Sequence, residues 1–235
     1  MSELTYQAVD HDGAIGEALA ALPEGDSRSE FLRRAVVMGG ALAGGGALFA
    51  ALADTAQAQS RGDVAILNFA LTLEYLEAEF YKEAVAKNRL SGDTRRFARV
   101  VASHEVTHVR TLKAVLGASA VAKPRFNFRG TTSNQGQFQA TAQALEETGV
   151  RAYLGQAANI DSDDLLAVAG TILTVEARHA AWIRHIRGEL PAPRAFDRPA
   201  SKRQILAAVN RTGFIVAAAQ QRQPPAARRA PNLTG

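Results

Sequence analysis

Two stretches of the chain repeat one pairing. SHEVTHVR at 103–110 and TVEARHAAWIR at 174–184 each set a glutamate three residues before a histidine, Glu105 with His108 and Glu176 with His179. On an α-helix that spacing stacks both side chains on one face, one turn apart. Stepping by threes and fours puts the first pair on a stripe with Val101, Leu112 and Val115, and the second with Leu165, Ala169, Ile172, Ile183 and Ile186. Both pairs interrupt apolar seams, so they are expected to face a core. An unpartnered carboxylate there is costly, and each needs a cation, a hydrogen-bonding network or a metal.

Two further segments have the same construction. LTLEYLEAEFY places Leu67, Ala70, Glu74, Glu77 and Tyr81 on one helical face, with Glu79 and Glu83 outside it and Glu83 positioned to pair with Lys87 at i, i+4. In ALEETGVRAYL, Glu146 aligns with Ala142, Gly149 and Tyr153, whereas Glu147 has Arg151 at i+4 for an outward salt bridge. Alignment favours Glu146 over Glu147 as the inward residue. Glu74 precedes Tyr81 by seven residues and Glu146 precedes Tyr153 by seven; Glu74 to Glu105 is 31 residues and Glu146 to Glu176 is 30. The chain reads as a doubled hairpin, each half supplying Glu and then Glu-x-x-His.

Four carboxylates converging in a low-dielectric interior would repel one another severely, and two divalent cations would balance them. The chain has no cysteine, so thiolate sites, iron–sulfur clusters and disulfides are excluded. Oxygen and nitrogen donors suit two iron or manganese ions, with zinc a poorer match. A Glu from each of two helices and Glu-x-x-His from each of the others is the di-iron or di-manganese carboxylate design.

Periodicity predicts helices over about 63–88, 93–116, 136–158 and 162–187, with Asp63 as the first N-cap, Gly117 closing the second helix, and Gly188 and Pro191 ending the fourth. Short connections join helices 1 to 2 and 3 to 4. A turn-rich loop, ASAVAKPRFNFRGTTSNQ, joins 2 to 3. The expected fold is all-α: a four-helix bundle of two antiparallel hairpins linked by a long crossover, plus a short C-terminal helix capped by Ser201. The expected domains are a leader at 1–58, the bundle at 59–190, a short helical extension at 191–216 and a disordered tail at 217–235.

The leader contains SRSEFLRRAVVMGGALAGGGALFAALADTAQAQS, in which Arg28, Arg33 and Arg34 precede an apolar run at 35–53 and Ala56-Gln57-Ala58 forms a small-x-small cleavage site. Export to the periplasm or cell envelope with removal after Ala58 is expected. The stretch resembles a twin-arginine signal, but Ser29 stands where the second arginine belongs, so the route stays open between twin-arginine and general secretion. Five glycines make the run a weak membrane helix, and no stable span is expected after cleavage. Residues 1–58 carry three basic and eight acidic side chains, leaving 24 basic against 15 acidic ones. With no basic run alternating with aromatics, this excess reads as a solvated arginine-rich face, and no nucleic-acid partner is expected.

LNFALTLEYLEAEFY, SHEVTHV, LEETGVRAYLG and VEARHAAWIRHIRG, spread over about 63–188, resemble the ferritin-like superfamily, closest to exported bacterial ferritin-like domain proteins related to desiccation-associated proteins. The resemblance implies that Glu105 and Glu176 bridge two metals, that Glu74 and His108 complete one shell and Glu146 and His179 the other, and that Tyr81 and Tyr153 hydrogen-bond ligating carboxylates. It implies redox chemistry on oxygen or peroxide, of ferroxidase, peroxidase or catalase type, in a chain that could form a homo-oligomer. The alternative is a non-catalytic stress or desiccation-protective envelope protein whose metal is structural or absent. Of the remaining candidates, Glu77 can reach the centre, His104 lies beside the seam, and His185 falls near the C-terminus of the fourth helix, where a cation is favoured.

Overall fold

The computed structural model of the chain describes residues 60–216. The expected leader at 1–58, with its cleavage site, and the expected tail at 217–235 lie outside the described residues. Among the described residues five α-helices are formed: α1 (Arg61–Lys87), α2 (Gly92–Leu116), α3 (Gln135–Ala157), α4 (Asp163–Ile186) and α5 (Lys202–Thr212). The all-α bundle expected from the periodicity is the observed architecture. α1 packs chiefly on α2 and α3 chiefly on α4, and the two hairpins meet through α1 with α3 and α2 with α4.

Local chemistry sets the ends of these helices. Ser60, not Asp63, is the N-cap of α1: its Oγ accepts the N–H of Asp63 at 3.0 Å. Asp63 sits in the first turn, buried, and accepts the N–H of Asp161 at 2.9 Å, tying the start of α1 to the α3–α4 connection. A serine three residues upstream was the competing cap that the apolar periodicity concealed. Asn134 and Ser162 cap α3 and α4 through their side chains. Asn88, at φ 50°, ends α1 in the left-handed conformation that Asn tolerates.

The crossover is more ordered than a turn-rich loop. It opens with a 3₁₀ turn, Gly117–Ser119, and continues into a short strand, β1 (Arg125–Phe126), paired antiparallel with β2 (Ile215–Val216). Phe128, from the same segment, meets Phe80 at 5.4 Å between ring centroids, and Phe80 stacks on Phe138 at 5.2 Å. Tyr81, Phe97 and Trp182 extend this block by edge contacts, so one end of the bundle is sealed by aromatic rings.

The C-terminal extension lies along α3. Ala200 donates its N–H to the carbonyl of Arg151 at 3.0 Å, and a Cβ on Gly155 would fall 1.9 Å from the Ala200 carbonyl oxygen, so only glycine admits the approach. α5 then starts with a full capping box between Ser201 and Gln204. Among the described residues no helix is long and apolar enough to cross a membrane.

Candidate metal centre

Each of the four long helices carries one or two of the predicted residues near its midpoint, and the bundle brings all six together. Glu74, Glu105, Glu146 and Glu176 are wholly buried; His108 and His179 are 8% and 3% exposed. Two overlapping groups result. Glu74, Glu105, His108 and Glu176 each offer an atom within 4.8 Å of all the others, and so do Glu105, Glu146, Glu176 and His179. Glu105 and Glu176 belong to both groups.

The histidines aim Nδ1 inward. His108 Nδ1 lies 3.2 Å from Glu74 Oε2, 3.2 Å from Glu105 Oε2 and 3.0 Å from Glu176 Oε1. His179 Nδ1 lies 3.2 Å from Glu105 Oε1, 3.2 Å from Glu146 Oε2 and 3.9 Å from Glu176 Oε2. Proximity does not amount to satisfaction, however. Glu105 Oε1 and both oxygens of Glu176 are buried without a hydrogen-bond partner.

Both tyrosines reach carboxylates, and they do so crosswise. Tyr81 of α1 donates to Glu146 Oε1 of α3, and Tyr153 of α3 donates to Glu74 Oε1 of α1 at 2.5 Å. Each hairpin thereby orients the single glutamate of the other, an exchange consistent with a doubled sequence. Burial, reinforced by the accepting carboxylate, pushes both phenols well above their ordinary pKa, so they stay protonated donors.

The electrostatics record crowding. Burial and repulsion by Glu105, Glu146 and Glu74 push Glu176 well above the carboxylate range, and burial moves Glu105 up to about 7 against the pull of both histidines. Burial would raise Glu74 as well, but His108 overcomes it and the net shift is downward. Burial opposes protonation of the histidines, yet the carboxylates win: His179 is raised to about 10 and His108 further still.

Glu77 is a fifth inward carboxylate. It is 3% exposed, and burial together with Glu176, Glu146, Glu105 and Glu74 drives it well above the usual range. Gly149 makes the room: a Cβ there would lie 3.3 Å from Glu176 Oε2 and 3.5 Å from Glu77 Oε1. Glu147 faces outward, as its register predicts, but its salt bridge is with Arg184 of α4, not Arg151. The neighbouring helix offered a nearer guanidinium than the same helix did. Glu83 pairs with Lys87 at 2.7 Å as expected. His185 is exposed and stands apart from the cluster. His104 reaches it indirectly, through His179 at 2.9 Å, a contact between helices with no signature within either one.

The donor set fits divalent metal. Buried carboxylate oxygens that make no hydrogen bond, on glutamates shared between two Glu/His groups, have the chemistry of ligands to hard or borderline cations. The family model of the ferritin-like domain matches residues 62–189. The chain belongs to the ferritin-like domain family. Its match ends within a few residues of the four long helices, so the ferritin-like domain contains the whole cluster and excludes α5. A search of the curated proteins finds no significant match. Within this ferritin-like domain, the buried Glu/His groups could hold metal ions.

Proposed function

We propose that the protein holds a dinuclear iron or manganese centre and uses it for redox chemistry on oxygen or peroxide in the periplasm or cell envelope. The observation that carries this reading is the state of Glu105 and Glu176: both are wholly buried, both belong to each four-residue group, and three of their four oxygens make no hydrogen bond. Glu74 and His108 would complete one ion's ligands, and Glu146 and His179 the other's, with Glu105 and Glu176 shared. Bound there, the metals would supply Lewis acidity and one-electron redox capacity.

The chain's own residues do the rest. Tyr81 and Tyr153 fix the carboxylates they bond, which holds the free oxygens of Glu146 and Glu74 toward the histidines. The aromatic block around Phe80, Phe97 and Phe138 keeps bulk water from one end of the centre. Wholly buried carboxylates admit only a small reactant, which suits oxygen or peroxide.

The test is metal content by plasma mass spectrometry after growth with both iron and manganese, for the wild type and the Glu105→Ala, Glu176→Ala double variant. Two ions per chain, lost in the variant, are expected. Rapid peroxide or oxygen consumption by the loaded wild type, abolished in Glu176→Ala, then separates a catalyst from a protective protein with structural metal. Metal-free wild type unaffected by chelator would overturn the centre.

A further inference from the structure

The two Glu-x-x-His motifs are equivalent in spacing but not in what stands behind their histidines. His104 precedes Glu105, and at the matching position Val175 precedes Glu176. The His104 and His179 rings lie edge to edge, with centroids 5.1 Å apart and planes 16° from parallel, and His104 Nδ1 lies 2.9 Å from His179 Nε2. His108, by contrast, bonds only through Nδ1 to carboxylates, and its Nε2 meets no protein partner among the described residues.

An imidazole that ligates through Nδ1 must carry its remaining proton on Nε2. In His179 that N–H points at His104 Nδ1, which must then be the acceptor, leaving His104's own proton on the nitrogen away from the contact. We propose that His104 is a positioning residue: it holds His179 in the tautomer that can ligate through Nδ1, and so makes the His179 half of the centre the tighter of the two. The proposal rests on the dinuclear reading above. An accepting group behind a ligating histidine fixes ring orientation and raises donor strength, and its loss typically costs about 10- to 100-fold in metal affinity.

The experiment uses the full chain stripped with chelator and titrated with Mn(II), the free ion being followed by electron paramagnetic resonance. The wild type is expected to bind two ions in unequal steps. His104→Leu should weaken the tighter step by about tenfold or more and leave the weaker unchanged. His104→Asn, whose Oδ1 can accept in place of Nδ1, should restore most of the loss. Imidazole ¹⁵N spectra of the stripped wild type should show His104 as the Nε2–H form. Two ions bound with both steps unchanged in His104→Leu, or His104 found with its proton on Nδ1, would overturn this proposal alone. Equal weakening of both steps with a lower Tm of the stripped chain would also overturn it, by showing a structural effect. No Mn(II) uptake by the wild type would overturn the dinuclear reading and this inference together.

Discussion

At the scale of single residues, the centre is most exposed to test at Glu77. It adds a carboxylate to a cluster that already holds four, and no hydrogen bond to it is formed among the described residues. In the metal-free chain Glu77 is therefore a source of repulsion once ionised, with burial and Glu176 as its main opponents. Glu77→Gln keeps the shape and removes the charge. It is expected to raise the Tm of the chelated protein at pH 8, where one pKa unit of relieved strain is worth ~1.4 kcal/mol, and to change little near pH 4, where Glu77 is already neutral. Thermal melts at the two pH values check this. A lower Tm at pH 8 would mean that Glu77 instead satisfies a donor. Glu77 was legible as inward because it lies three residues after Glu74 on one face. His104 was not, since its partner lies on another helix and helical period carries no information about interhelical contacts.

At the scale of elements, the four long helices were legible because their apolar stripes persist over about three turns or more, long enough for period to dominate local preference. The pairing of β1 with β2 was not, because two-residue strands have no period and their partner comes from the far end of the described chain. The C-terminal extension occupies the same blind spot. SKRQILAAVN announces a capped helix, but where it docks depends on Gly155, one residue in a helix it does not belong to. That dependence can be tested. Gly155→Ala puts a methyl against the Ala200 carbonyl, which is backbone and cannot rotate away, so the extension must lift from α3. Overpacking of this kind costs about 1–3 kcal/mol. The expected outcome is a lower Tm and faster proteolysis between 190 and 202, with Mn(II) binding retained, because none of the six candidate ligands lies in the extension. Unchanged proteolysis would show that the extension is held elsewhere, for example by Lys202 over the Phe69 ring at 5.4 Å.

At the scale of the whole molecule, the buried charges make stability depend on pH with a sign that metal should reverse. In the chelated chain, Glu105 is raised to about 7 and Glu176 is raised well above the ordinary range. Their contribution is complete below the usual carboxylate range and is lost as pH climbs through the folded values. His179, raised to about 10, contributes fully below its ordinary value near 6.5 and fades as pH approaches 10. Glu74, held down by His108, works the other way and loses its contribution only in acid. The raised groups outnumber it, so the Tm of the chelated protein should fall steadily from pH 5 to pH 10. Metal binds the deprotonated ligands and competes with protons, so its stabilisation grows as pH rises from 5 to 7. At a free-ion concentration of about 100 times Kd, each ion adds about 2.7 kcal/mol, and a chain of this size gains about 2–4 °C per kcal/mol. Melts with and without Mn(II) across that range should therefore diverge, the loaded curve rising where the chelated one falls. Parallel curves would mean that protons and hydrogen bonds alone hold the carboxylates, and the cluster would then be an unusually acidic core with no metal to balance it.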